Sequence, residues 1–184
     1  MKILLLVISS IFFIGCSFKP SIPPDQTNIN GYTVPVMPDE TVNNSTLDGV
    51  DSDGNGVRDD IDRYIAETYP DPVPHALAEL DARSFLDVFK DPENANEKKL
   101  YISSIQYVVC QRYVEDFYGK KILKGFSFEN FDPKMTNTRA RARAYGIFNA
   151  SMDGGISSSP PYLMSPADCP AEVNKALEKY KKIE

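Results

Sequence analysis

Apolar positions divide this chain into three regions of different character. An uncharged, mainly apolar run from Ile3 to Ile14 comes first. A polar, proline-bearing stretch follows, and then apolar residues recur every three or four positions to the C-terminus. That third rhythm is helical. Val57, Ile61, Ile65 and Tyr69 repeat at intervals of four, and Pro70 ends the helix they predict. A second helix is predicted over 76–90, where Leu77, Leu80, Ala82, Phe85, Val88 and Phe89 form a broad stripe closed by Asp91-Pro92. The longest is predicted over 93–118, carrying Leu100, Tyr107, Val108, Cys110, Val114 and Phe117, with Gly119 as its C′ residue. Phe126, Phe128 and Phe131 then read as an irregular segment or a short strand over 125–133. A fourth helix over 136–152 turns Ala140, Ala144, Ile147 and Phe148 inward, and Asp153-Gly154-Gly155 stops it. A loop rich in Ser and Pro covers 157–166. The last helix, over 170–182, starts on Pro170 and buries Val173, Ala176, Leu177 and Tyr180. The expected fold is all-α: a small bundle of about five helices over residues 46–184, without internal repeats.

Residues 16–45 carry Pro20, Pro23, Pro24, Pro35 and Pro38 among Asn, Thr and Ser. So few apolar residues cannot offset the entropy of ordering them, so the segment is expected to be a disordered tether. As a flexible coil it would reach ~30 Å. Asn43 and Asn44 each head an N-x-S/T triplet and read as linker composition.

Lys2 ahead of the run 3–14, and Gly15 before Cys16, give residues 1–15 the layout of a secretory signal. The run is too short for a helix crossing a bilayer, which needs ~20 apolar residues. Phe13-Ile14-Gly15-Cys16 resembles the lipobox of bacterial lipoproteins, with Phe13 where that family usually has Leu. The resemblance implies cleavage before Cys16, a diacylglycerol on its sulfur and an acyl group on its amino terminus. An ordinary cleaved signal, with Cys16 in a disulfide, is the alternative. Ser17, rather than Asp, follows Cys16, and by resemblance to Gram-negative lipoproteins this implies export to the outer membrane. Acyl chains contribute ~0.8 kcal/mol per buried methylene, so such an anchor needs no basic patch.

Without residues 1–15, whose one charge is Lys2, the remaining 169 residues carry a formal charge of −7. That balance argues against nucleic acid as a partner. Of the three cysteines, Cys110 and Cys169 are left as an even pair in an oxidising compartment. They read as a structural bridge, with two buried thiols as the alternative, and no C-x-x-C spacing supports redox chemistry.

The clearest chemistry lies in Asp51-Ser52-Asp53-Gly54-Asn55-Gly56-Val57-Arg58-Asp59-Asp60-Ile61-Asp62. A hard cation takes six to eight oxygens, and a loop supplies them when alternate residues point inward. Asp51, Asp53 and Asn55 stand at positions 1, 3 and 5, Gly56 at 6, the Val57 carbonyl at 7, Asp59 at 9 and Asp62 at 12. The segment resembles the calcium loops of EF-hands, dockerins and thrombospondin type 3 repeats, which implies one Ca²⁺ held by those residues. It departs from the pattern in having Asp62 rather than Glu at 12, Arg58 rather than an aliphatic at 8, and no entering helix. A solitary structural loop leading into one exiting helix is therefore expected. Asp48, Asp51, Asp53, Asp59, Asp60 and Asp62 against Arg58 give fifteen residues a local charge of −5. An acidic helix start accounts for Asp59 and Asp60 without metal, but not for the D-x-D-x-N-G phasing.

Arg139, Arg141 and Arg143 offer a weaker signal. Arg139 and Arg143 would share one helix face with Arg141 turned away, an anion clamp for a polyanionic glycan or an acidic envelope partner, or simply a solvated face. His75, the one histidine, reads as a solvated residue at a helix start. The whole points to a lipid-anchored envelope protein acting as a binding or assembly module. The rival is an envelope hydrolase cutting cell-wall glycan through a carboxylate pair among Glu79, Glu115 and Asp116.

Overall fold

The computed structural model describes residues 25–93, 98–152 and 165–182, with side chains from 106 onward in the second span. The signal segment, Cys16 and most of the 157–166 loop lie outside those residues. The chain opens with an antiparallel hairpin, β1 Gln26–Ile29 and β2 Tyr32–Pro35, followed by a single helical turn, α1 Glu40–Asn43. Six further helices follow: α2 Asp59–Thr68, α3 Pro72–Lys90, α4 Lys98–Tyr118, α5 Phe128–Met135, α6 Arg139–Met152 and α7 Ala171–Leu177. Short 3-10 turns at Lys120–Leu123 and Pro166–Asp168 precede α5 and α7. The domain is mainly helical, as its periodicity predicts, with a hairpin the periodicity does not show.

The hairpin overturns the expected tether from Gln26 onward. Its turn is Ile29-Asn30-Gly31-Tyr32, with φ of 52° at Asn30 and 92° at Gly31. Asn and Gly tolerate positive φ, and two such residues in sequence match the right-handed twist of the flanking strands. The hairpin is fastened to α2: Asn30 Nδ2 donates to the Ala66 carbonyl at 2.9 Å, and Arg63 Nη1 to the Pro35 carbonyl at 3.1 Å. Tyr32 stacks on His75 with ring centroids 3.5 Å apart and planes 7° from parallel. His75 is buried rather than solvated, its Nδ1 lying 3.2 Å from the Tyr69 carbonyl. Packing against α2 and the start of α3 thus offsets an ordering entropy that composition alone could not.

Helix α3 is the hub on which α2, α4, α5, α6 and α7 all pack. Its first residue, Pro72, suits a position where no backbone donor is needed. From Val73 to Phe89 it buries residues around most of its circumference. Helix α5 replaces the irregular segment expected at 125–133. Phe131 and Met135, four residues apart, both face the core, and Phe126 packs edge-on against Tyr69 at 5.3 Å. Helix α6 buries Ala144 and Phe148, half-buries Ile147 and leaves Ala140 exposed. A disulfide joins Cys110 of α4 to Cys169, just before α7. Closing a loop with a sequence separation of 59 stabilises the fold by about 2–4 kcal/mol.

One polar cluster sits inside this bundle. Asp81 of α3 is wholly buried, and neither of its carboxyl oxygens has a hydrogen-bond partner. Asp132 of α5 accepts from the Tyr145 hydroxyl at 3.4 Å through Oδ2, while its Oδ1 is buried and unpartnered. Burial first, and the Asp132 charge second, push Asp81 well above the ordinary carboxyl range; burial pushes Asp132 up to about 6. The folded chain therefore keeps protons that the unfolded chain releases above ~pH 4. Stability from these groups is full below that pH and falls as pH rises through 6 and beyond. Asp81→Asn should flatten this slope, read as urea-unfolding free energy at pH 5 and pH 8. Parallel slopes in variant and parent would contradict the assignment.

Candidate metal centre

Two buried arginines hold the segment that leads into α2. Arg58 is 0% exposed. Its guanidinium grips Asp60 with two bonds, Nε–Oδ1 at 2.9 Å and Nη2–Oδ2 at 3.2 Å. It also donates to the carbonyls of Met135 at 3.1 Å and Lys134 at 3.3 Å. Those carbonyls end α5, where no helical N–H remains to satisfy them and the helix dipole favours a cation. Arg141, also 0% exposed, reaches from α6 to the turn after α1. It donates to the carbonyls of Asn43 (2.6 Å), Thr46 (3.3 Å) and Leu47 (2.9 Å) and to the side-chain oxygens of Asn44 (3.0 Å) and Asn137 (2.7 Å). These five bonds use the full donor capacity of a guanidinium. Burial, then the nearby Arg58 charge, lower its pKa to about 10, so it stays charged at neutral pH. Gly49 fits between the two side chains. Its φ is +71°, and a Cβ there would lie 2.5 Å from Arg58 Cδ and 2.8 Å from Arg141 Nη2.

The acidic loop springs from this base. The Asp59 N–H donates to the Val50 carbonyl at 2.8 Å, closing the loop where α2 begins. Asp51 Oδ1 accepts from the N–H groups of Gly54 and Asn55, and its Oδ2 from that of Gly56 at 3.0 Å. Gly54 and Gly56 have φ of +73° and +83°, which lets the chain wrap around one carboxylate. Asp59 Oδ1 accepts from the Ser52 N–H at 2.8 Å, and Val57 is locked in the core. Asp51, Asp53 and Asp59 each offer an oxygen, and the three oxygens lie within 4.8 Å of one another. At that spacing two ionised carboxylates repel by roughly 1 kcal/mol in water and 3–4 kcal/mol at an effective dielectric of 20.

Three of the six sequence-nominated ligands therefore converge. Asp62 is joined to them through Asn55, whose Nδ2 donates to Asp62 Oδ2 at 2.8 Å and Asp53 Oδ2 at 3.4 Å. Burial raises the pKa values of Asp53 and Asp59, with the Asp51 charge adding to both, and burial lifts Asp62 to about 7. The triad is an all-oxygen, anionic donor set. That chemistry suits a hard cation and offers nothing to a soft one.

The other nominated residues fall elsewhere. Arg139 and Arg143 stay exposed, whereas Arg141 is turned into the protein and has no donor left for an anion. Glu79 faces His75 at 3.4 Å and Arg83 at 3.7 Å, and Glu115 faces Gln111 at 2.7 Å and Lys120 at 3.7 Å. The clamp residues Arg58, Asn137 and Gly49 are absent from the sequence reading as functional supports. The one hint of them was an arginine at loop position 8, where an aliphatic was expected. No protein-family model, curated protein or solved structure matches this chain.

The clamp makes a comparative prediction. Gly49→Ala combines left-handed strain with overlap against both guanidinium side chains, and should cost about 2–5 kcal/mol. Gly31→Ala has a similar φ of +92° but nothing within 4 Å of the added carbon. It should cost only about 1–2 kcal/mol. Equal losses in chemical denaturation would show that the two guanidinium groups are not packed around Gly49.

Proposed function

We propose that this chain is a lipid-anchored protein of the cell envelope whose helical domain binds one Ca²⁺ through the 51–62 loop and serves as a binding or assembly module. The observation that carries this reading is the convergence of Asp51, Asp53 and Asp59 on a loop whose base is clamped by two buried arginines. Asn55, Asp62 and the Val57 carbonyl would complete the six to eight oxygens that calcium takes. The Asn55 amide now donates to Asp53 and Asp62 through Nδ2 and accepts from the Val57 N–H through Oδ1 at 2.7 Å, so turning Oδ1 toward a cation would exchange that bond for a metal contact. Magnesium suits the site less well, because it dehydrates reluctantly in an all-protein cage. An affinity of ~10⁻⁵–10⁻³ M, the range of extracellular modules, is expected for so exposed a loop.

Calcium's role here is structural. It would neutralise the triad and fix the loop between the 43–50 turn and α2. The address comes from the Phe13–Cys16 lipobox resemblance. The Cys110–Cys169 disulfide fits an oxidising compartment, and among the described residues no helix is long and apolar enough to cross a membrane.

Two outcomes test the reading. Calcium at 100 times its Kd should stabilise the parent by about 2.7 kcal/mol. Asp51→Asn or Asp53→Asn should abolish that gain in thermal melts, while Asp48→Asn, an exposed neighbour outside the triad, should keep it. An unchanged gain in the triad variants would remove the site. Separately, Cys16→Ser should move the protein from the membrane pellet to the soluble fraction, and unaltered sedimentation would rule out the lipid anchor.

A further inference from the structure

The segment after β2 leaves apolar side chains uncovered. Val36, Met37 and Val42 are 44%, 58% and 58% exposed. Only Tyr180 joins them among the large apolar side chains found exposed in the described residues. All three lie within seven residues of one another in sequence. Of the three, Met37 lines a cleft of about 500 Å³, together with Glu40, Asp60, Tyr64, Glu67 and Lys134 among others. The cleft is the size of a pocket that takes a short peptide segment or a small ligand.

Its charge is unbalanced. Asp60 is neutralised by Arg58, whereas Glu40 and Glu67 have no ion pair among the described residues. The lining also includes an aromatic ring already engaged by a cation: Lys134 Nζ lies 4.8 Å from the centre of the Tyr64 ring. Tyr64 is held from behind by Tyr69 and Phe131, each with its ring centre 6.2 Å away, so the platform is rigid. Arg58 bonds to Asp60, and Arg141 to Asn43, Asn44 and Asn137, all of which line the cleft. Two unpaired carboxylates, an aromatic face and an adjoining apolar strip complement one kind of surface, positive and greasy in alternation.

We propose that this cleft docks a basic, partly apolar peptide segment of a partner protein, seating a lysine or arginine side chain on Tyr64 between Glu40 and Glu67 and an apolar side chain against Met37. This deepens the assembly reading by naming its surface and partner chemistry, and it requires neither the calcium nor the anchor. In the bound state the partner's cation replaces Lys134 over the ring, so Lys134 competes with the ligand.

The test uses the full chain in an uncharged detergent, which holds it in solution with or without a lipid anchor, at constant calcium, with a fluorescent Lys-Leu-Ser-Lys-Leu-Ser peptide read by anisotropy against detergent alone. Saturable binding is expected. The double variant Glu40→Lys/Glu67→Lys should weaken it at least tenfold. Glu172→Lys/Glu178→Lys, the same charge change at two exposed positions in and just after α7, should leave it within twofold. Met37→Ser should weaken binding several-fold, and Lys134→Ala should strengthen it. No saturable binding, equal binding of a peptide with glutamate in place of lysine, or equal weakening by both double variants would overturn the proposal. Those failures would leave the calcium-dependent melt and the Cys16→Ser fractionation untouched. Failure of either of those would in turn leave peptide binding intact.

Discussion

Two guanidinium groups buried side by side hold the base of the acidic loop in place. Arg58 and Arg141 approach from different helices, share the Asn137 oxygen and close around Gly49. Like charges in a low-dielectric interior are unfavourable unless each is fully partnered. Here Arg58 has a carboxylate and the free carbonyls of a helix end, and Arg141 has five acceptors. Arg141 binds mostly backbone of the 43–47 stretch, which has almost no apolar residues of its own, while Arg58 binds Asp60 and the end of α5. The 43–50 turn is thus ordered by hydrogen bonds to cations rather than by burial of apolar surface, and the acidic loop inherits its position from that turn.

The same arrangement explains why so acidic a loop can be kept in shape before any cation arrives. Asp51 is satisfied by three backbone N–H groups, and Asp59 by that of Ser52. The repulsion among the three carboxylates is held in check by this preorganisation, and it is the term a divalent cation would relieve. An ion entering here meets a loop whose base is already fixed, so little ordering entropy opposes binding. The hairpin and the apolar patch after it extend the same surface, since both lean on α2, the helix that leaves the loop.

Much of the helical framework was legible from spacing. The repeat Val57, Ile61, Ile65, Tyr69 marks α2, and the stripe from Leu77 to Phe89 marks α3, because each buries a continuous face. The pairing of Cys110 with Cys169 followed from an even count. Asp51, Asp53 and Asp59 could be read because ligand phasing is local. What failed was what depends on distant contacts. Composition hid the hairpin, although Asn30-Gly31 between Ile29 and Tyr32 was a turn signal in plain view. Three closely spaced phenylalanines hid α5, since their core role is set by Tyr69 and Tyr107 far along the chain. Arg141 read as a surface cation because nothing near it in sequence reveals partners nearly a hundred residues away.

The most direct measurement is calorimetric titration of the chelator-stripped full chain with calcium chloride at neutral pH. The account predicts heat that saturates at one ion per chain, with protons released as Asp62 ionises. A flat titration would contradict it, leaving the converging carboxylates as a solvated acidic turn.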